Sequence, residues 1–148
     1  MKMGQGDILK VLYSDDFILT SNLTEELDKA FTSDVRWAVT GFAHTIDDGK
    51  THYNPKLPVY NDRLLEGVNT LSSPSILAVR NGLGEYFDEK LVMLMDCDMY
   101  YRLYTMLGHP VVLKDIHISN REHPNQTQRS NDHLIPEEID YLKKKHLV

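Results

Sequence analysis

The chain has 148 residues, with 22 acidic against 16 basic side chains, a net charge of −6 and a single cysteine. Lone Cys97 excludes an internal disulfide framework and favours a reducing compartment, while the acidic surplus argues against a general phosphate-backbone binder, so nucleic acid is not an expected partner. The length predicts one domain. No apolar run reaches the roughly 18 residues that cross a bilayer, and the N-terminus MKMGQGD lacks the apolar core of a signal peptide, so a cytoplasmic protein without a transmembrane segment is expected.

Asp7 to Tyr13 reads as a short strand buried on both faces, ending in Ser14-Asp15-Asp16. Thr20-Ser21-Asn22 offers capping side chains to a helix whose apolar positions Leu23, Leu27, Ala30 and Phe31 recur at helical spacing through about Thr32. A strand is expected from Val35 to Ile46, with Asp47-Asp48-Gly49-Lys50 as a turn able to return the chain as a hairpin. Residues 51–62, with Pro55 and Pro58, read as an irregular loop, and residues 64–71 as a short helix broken at Gly67. A second buried strand is expected over Ser75 to Arg80. From Leu91 to Leu107 the apolar residues step by three and four until Gly108-His109-Pro110 stops them, the clearest helix of the chain. Val111–Leu113 and Ile116–Ser119 read as two strands or one bent strand, and the segment from Pro136 to Lys145, acidic first and basic last, reads as a helix that suits its own dipole. Strands alternating with helices indicate one α/β or α+β unit.

Three places hold side chains able to do chemistry. Asp15 and Asp16 stand where an apolar strand meets a loop; adjacent carboxylates there suit a hard divalent cation, Mg²⁺ or Mn²⁺, while spacing alone more readily gives a solvated turn or a helix N-cap. Asp96 and Asp98 are two apart on a helix and so point about 200° away from each other. Asp98 precedes Arg102 by four residues, an ion-pair spacing, whereas Asp96 is either a helix cap or a general base at a cleft wall. His123 follows a strand in a polar loop beside Arg121 and Asn125, and is either solvated or a ligand to a metal or diphosphate. Asn125-Gln126-Thr127 matches a glycosylation sequon that the expected compartment leaves idle, and Cys97 reads as a small packing residue.

Taken in order, these stretches resemble the second half of family 2 glycosyltransferases of the GT-A fold. The resemblance rests on Ile8 to Phe17 with its Asp15-Asp16 motif, Pro74-Ser75 followed by Arg80, Phe87 to Leu91, Met95 to Leu103 closing at Gly108, and Arg121 to Gln126. It spans about residues 6–128. It implies an α/β fold, a partial GT-A sheet like that of nucleotide-diphospho-sugar transferases, flanked by helices. Residues 1–135 would be the C-terminal portion of such a domain, and 136–148 a helix and tail. The implied activity is inverting, metal-dependent transfer of a sugar of the hexosyl type from a nucleotide-diphosphate donor to an acceptor hydroxyl. Asp15 and Asp16 are expected to bind Mn²⁺ or Mg²⁺, with Asp16 the more direct ligand and His123 as a further one. Asp96 is expected as general base, and Ser75, Arg80, Asp98 and Arg121 as substrate-binding residues. Its partners would be the nucleotide sugar, a glycan, lipid or protein acceptor, and a separate chain supplying the donor-binding half, in the cytoplasm at the inner face of a membrane. The alternative is a non-catalytic remnant or interaction module of the same fold.

Overall fold

The computed structural model describes residues 3–124 and 130–147. Its elements in chain order are β1 (Ile8–Lys10), β2 (Phe17–Ile18), α1 (Leu23–Ala30), β3 (Trp37–Thr45), β4 (Tyr53–Lys56), β5 (Leu77–Arg80), α2 (Met95–Leu107), β6 (Val111–Arg121) and α3 (Ile135–His146), with single 3₁₀ turns at Leu64–Glu66, Pro74–Ile76 and Asp132–Leu134.

The strands form one mixed six-stranded sheet in the order β1-β5-β3-β6-β2, with β4 on β3 beyond the end of β5. Among the described residues only the β3–β6 pair is parallel. Because β1 and β3 both run antiparallel to β5, and β6 runs with β3, the strands β1, β3 and β6 share one direction. Their carboxyl ends therefore meet at one edge.

Alternation along the strands divides the core into two layers. Trp37, Val39, Leu77 and Val79 face α2 and α3, packing with Met99, Tyr100, Leu103 and Leu142, whereas Ala38 and Ala78 face α1 with Leu23, Leu27 and Leu113. Trp37 anchors the larger layer: its ring stacks on Tyr100 at 6.4 Å and its Nε1–H donates to the Gly108 carbonyl at 3.0 Å. That bond ties the end of α2 to the middle of the sheet, and Gly108 at φ 78° supplies the left-handed residue that stops the helix.

The structure corrects several expectations. β1 is an edge strand, half-buried rather than covered on both faces, and among the described residues it pairs only with β5. The helix expected from Leu91 begins at Met95, because Glu138 of α3 accepts the backbone N–H groups of Val92 (2.8 Å), Met93 (3.0 Å) and Leu94 (2.8 Å) and holds them outside it. The expected loop over 51–62 contains β4, so the turn at 47–50 does close a hairpin. Asn22 gives α1 no side-chain cap; its amide donates instead to Glu26 at 2.7 Å. The bent-strand reading of residues 111–119 is the one found: β6 is continuous, with register shifts beside Gly41 that make room for Lys114 and Asp115.

Candidate functional site

The shared carboxyl edge of β1, β3 and β6 is where open α/β sheets bind ligands. Here it collects residues from four distant segments. β1 delivers Tyr13, Asp15 and Asp16; β6 delivers Asn120, Arg121 and then His123; the loop entering β5 delivers Asn69, Ser72, Ser73 and Ser75; and the first turn of α2 delivers Asp96.

Asp16 is the knot. Its carboxylate accepts the Arg121 N–H at 3.0 Å and the Ser73 hydroxyl at 3.3 Å, and the Ser73 hydroxyl also reaches Asn120 Oδ1 at 2.9 Å. Ser75, fully buried, accepts the Tyr13 N–H at 2.9 Å, while the Lys10 ammonium donates to the Ser75 carbonyl. Asp15 is turned outward and pairs with His123, Oδ2 to Nε2 at 3.2 Å. Asp96 accepts the Cys97 N–H at 2.7 Å and the Asn69 amide at 2.8 Å. Asn69 in turn accepts the Leu71 and Ser72 N–H groups at 2.8 and 3.2 Å, so one amide both shapes the loop and aims the carboxylate.

The carboxylates and Lys10 are electrostatically disturbed. Burial lifts Asp16 above the usual carboxylate range, opposed by the hydrogen bonds from Ser75 and the Arg121 N–H. Burial likewise lifts Asp96, opposed by the Cys97 N–H and Asn69. Lys10 is pulled down to about 7 by burial, with Asp16 resisting. The Tyr13 phenol lies within the fields of Asp96, Asp16 and Asp15; burial and then those three charges, in that order, push it upward. Among the described residues its buried hydroxyl has no hydrogen-bond partner, an unusual condition for a polar atom.

Neither a protein-family model nor a curated protein sequence matches the chain.

Of the residues singled out from sequence, Asp15, Asp16, Asp96, His123 and Ser75 thus meet at one edge. Others lie apart or are engaged elsewhere. Arg80 is at the opposite end of β5, where its guanidinium donates to the carbonyls of Phe31 and Thr32, each at 2.9 Å, and clamps the α1–β3 connection. Asp98 is completely buried on the far side of α2, bonded to Arg102, Lys145 and His146, each at 2.8 Å. The Arg121 side chain reaches Asp48 at 2.5 Å, while its N–H serves Asp16. Asn125 and Gln126 lie outside the described residues. Sequence reading missed Asn69, Ser73 and Asn120, since polar loop residues carry no periodicity; it also missed Lys10, whose neighbours inside an apolar strand marked it as unusual.

Asp15 and His123, joined as an ion pair at 3.2 Å, are both side chains able to ligate a divalent cation. Among the described residues, the three-residue group whose ligand atoms all lie within 4.8 Å of one another is a different one, Glu26, Asp115 and His117.

Proposed function

We propose that the chain is the metal-binding and acceptor-side portion of an inverting glycosyltransferase of the family 2, GT-A type. The observation that carries this reading is the hydrogen-bond network that joins Asp16 to Asp96 through Ser73, Asn120, Ser72 and Asn69 at the carboxyl edge of the sheet, with the Asp15–His123 pair at the same edge.

In this reading Asp15 and His123 hold Mn²⁺ or Mg²⁺, which neutralises the leaving nucleoside diphosphate as a Lewis acid. Asp16, expected from the resemblance as the more direct ligand, has its carboxylate engaged by the Arg121 N–H and the Ser73 hydroxyl, and in this reading it positions the backbone two residues before His123. Asp96 accepts the proton of the acceptor hydroxyl; its raised affinity for a proton brings it nearer neutral pH, where a general base works best. Asn69 points the base. The donor, the acceptor and a chain completing the donor side follow from the same reading.

The test is nucleotide-sugar hydrolysis or transfer with Mn²⁺, comparing wild type with Asp15→Asn and Asp96→Asn. Turnover that needs Mn²⁺ and is lost in both variants supports it; turnover unchanged in either removes that residue's role. A second reading, a non-catalytic interaction module, draws on the β1 edge, which pairs on one side only among the described residues. It predicts no metal-dependent diphosphate binding.

A further inference from the structure

On the opposite face of the sheet, we infer a second divalent-metal site, formed by Glu26 of α1 with Asp115 and His117 of β6. One ligand atom from each lies within 4.8 Å of the other two. His117 Nε2 and Glu26 Oε2 are 2.9 Å apart, the spacing of neighbouring ligands about 2.1 Å from one ion. Two carboxylates and an imidazole leave further coordination positions for water and suit Zn²⁺, Co²⁺ or Mn²⁺.

The surroundings are those of a held ligand set. His117 is fully buried, yet its Nε2 points to the two carboxylates, and its Nδ1 is hydrogen-bonded to the Thr20 hydroxyl. A hydroxyl can donate or accept. When Thr20 accepts from Nδ1–H, Nε2 carries the lone pair that binds a metal, the arrangement in which the outer hydrogen bond fixes the tautomer. The Asn22 amide holds Glu26 Oε1 at 2.7 Å, leaving Oε2 for the ion. Lys29, the other charge near Glu26, is committed to Glu25 at 2.6 Å.

Backbone geometry brings in the third ligand. Thr40 faces Leu113, whereas the next residue, Gly41, faces Ile116, so Lys114 and Asp115 bulge out of β6. Such bulges re-aim side chains. A Cβ on Gly41 would lie 2.6 Å from the Asp115 carbonyl oxygen, so glycine is what permits the bulge. The ion would clip α1 to β6, joining segments about ninety residues apart, since Glu26 and His117 are separated by 91 positions.

The test is Co²⁺ titration of the untagged full chain by visible absorption, with Zn²⁺ competition and thermal denaturation. The expected result is one strong Co²⁺ equivalent, displaced by Zn²⁺ and raising Tm. Asp115→Asn, at an exposed position, and Glu26→Gln should each weaken binding at least tenfold, and Thr20→Val by about 10–100-fold, while circular dichroism stays native. The strong Co²⁺ equivalent should persist in the Asp15→Asn background, which removes a ligand assigned to the other edge and so separates the two sites. Absence of stoichiometric binding, binding undiminished in Asp115→Asn and Glu26→Gln, or loss in Asp15→Asn alone would each overturn the inference.

Discussion

Asn69→Asp is the sharpest perturbation of the site. The new carboxylate keeps the shape of Asn69 and the acceptor bonds to the Leu71 and Ser72 N–H groups, but the amide nitrogen 2.8 Å from Asp96 Oδ2 becomes an oxygen. Two like charges about 4 Å apart repel by about 4 kcal/mol at an effective dielectric constant of about 20, which spreads the two apparent pKa values of the pair by about 3 units. Asp96 starts above the ordinary carboxylate range because it is buried, so the pair retains a proton toward neutral pH. The sign follows from linkage. A carboxyl whose folded-state pKa is raised binds protons better when folded, so its favourable contribution is full at low pH and is lost as pH rises through the folded-state value. Thermal denaturation from about pH 4 to about pH 8 should therefore show the variant near wild type under acid conditions and falling progressively below it as pH rises. Parallel curves across that range would refute the contact and the pointing role given to Asn69. Any turnover should fall with it, with its pH profile displaced to higher pH.

Three further outcomes are expected. Glu138→Gln leaves the buried Leu94 N–H facing an amide donor and should cost about 1–3 kcal/mol in urea unfolding, because both Glu138 oxygens are used by the entry to α2. Arg80→Met should cost a similar amount, about 1–3 kcal/mol, through the lost bonds to Phe31 and Thr32, while diphosphate binding stays unchanged; a selective loss of binding would return Arg80 to the site. Gly41→Ala should destabilise by about 1–3 kcal/mol and weaken Co²⁺ binding together, since its Cβ meets the Asp115 carbonyl; a variant as stable as wild type would show that the bulge has another cause.

The sequence made those features legible that depend on local spacing. The step of four from Asp98 to Arg102 does form an ion pair, and the opposed directions of Asp96 and Asp98 place one at the site edge and buries the other. The stop at Gly108 and the charge order of the last helix are likewise local. What stayed hidden depends on chain segments far apart. Asp98 is also bonded to Lys145 and His146, and Glu138 serves three amides more than forty residues away, neither of which any periodicity records. β4 was obscured because Pro55 and the left-handed Asn54 (φ 53°) interrupt a pattern that pairing with β3 nonetheless sustains. The capping expectation at Asn22 failed because Glu26, four residues on, offered its amide a charged acceptor. Of the site, the acids and His123 were visible as residue types, whereas the amide and hydroxyls that orient them emerged only when β1, β6 and the loop before β5 were brought to one edge.

Calorimetric titration of a nucleoside diphosphate into the Asp115→Asn chain, with and without Mn²⁺, tests the proposed transferase site most directly, because that background removes a ligand of the inferred metal site at Glu26, Asp115 and His117. Binding that requires Mn²⁺ and disappears on further replacing Asp15 by Asn or His123 by Ala is the predicted result. No binding with Mn²⁺, or binding indifferent to both substitutions, would contradict it.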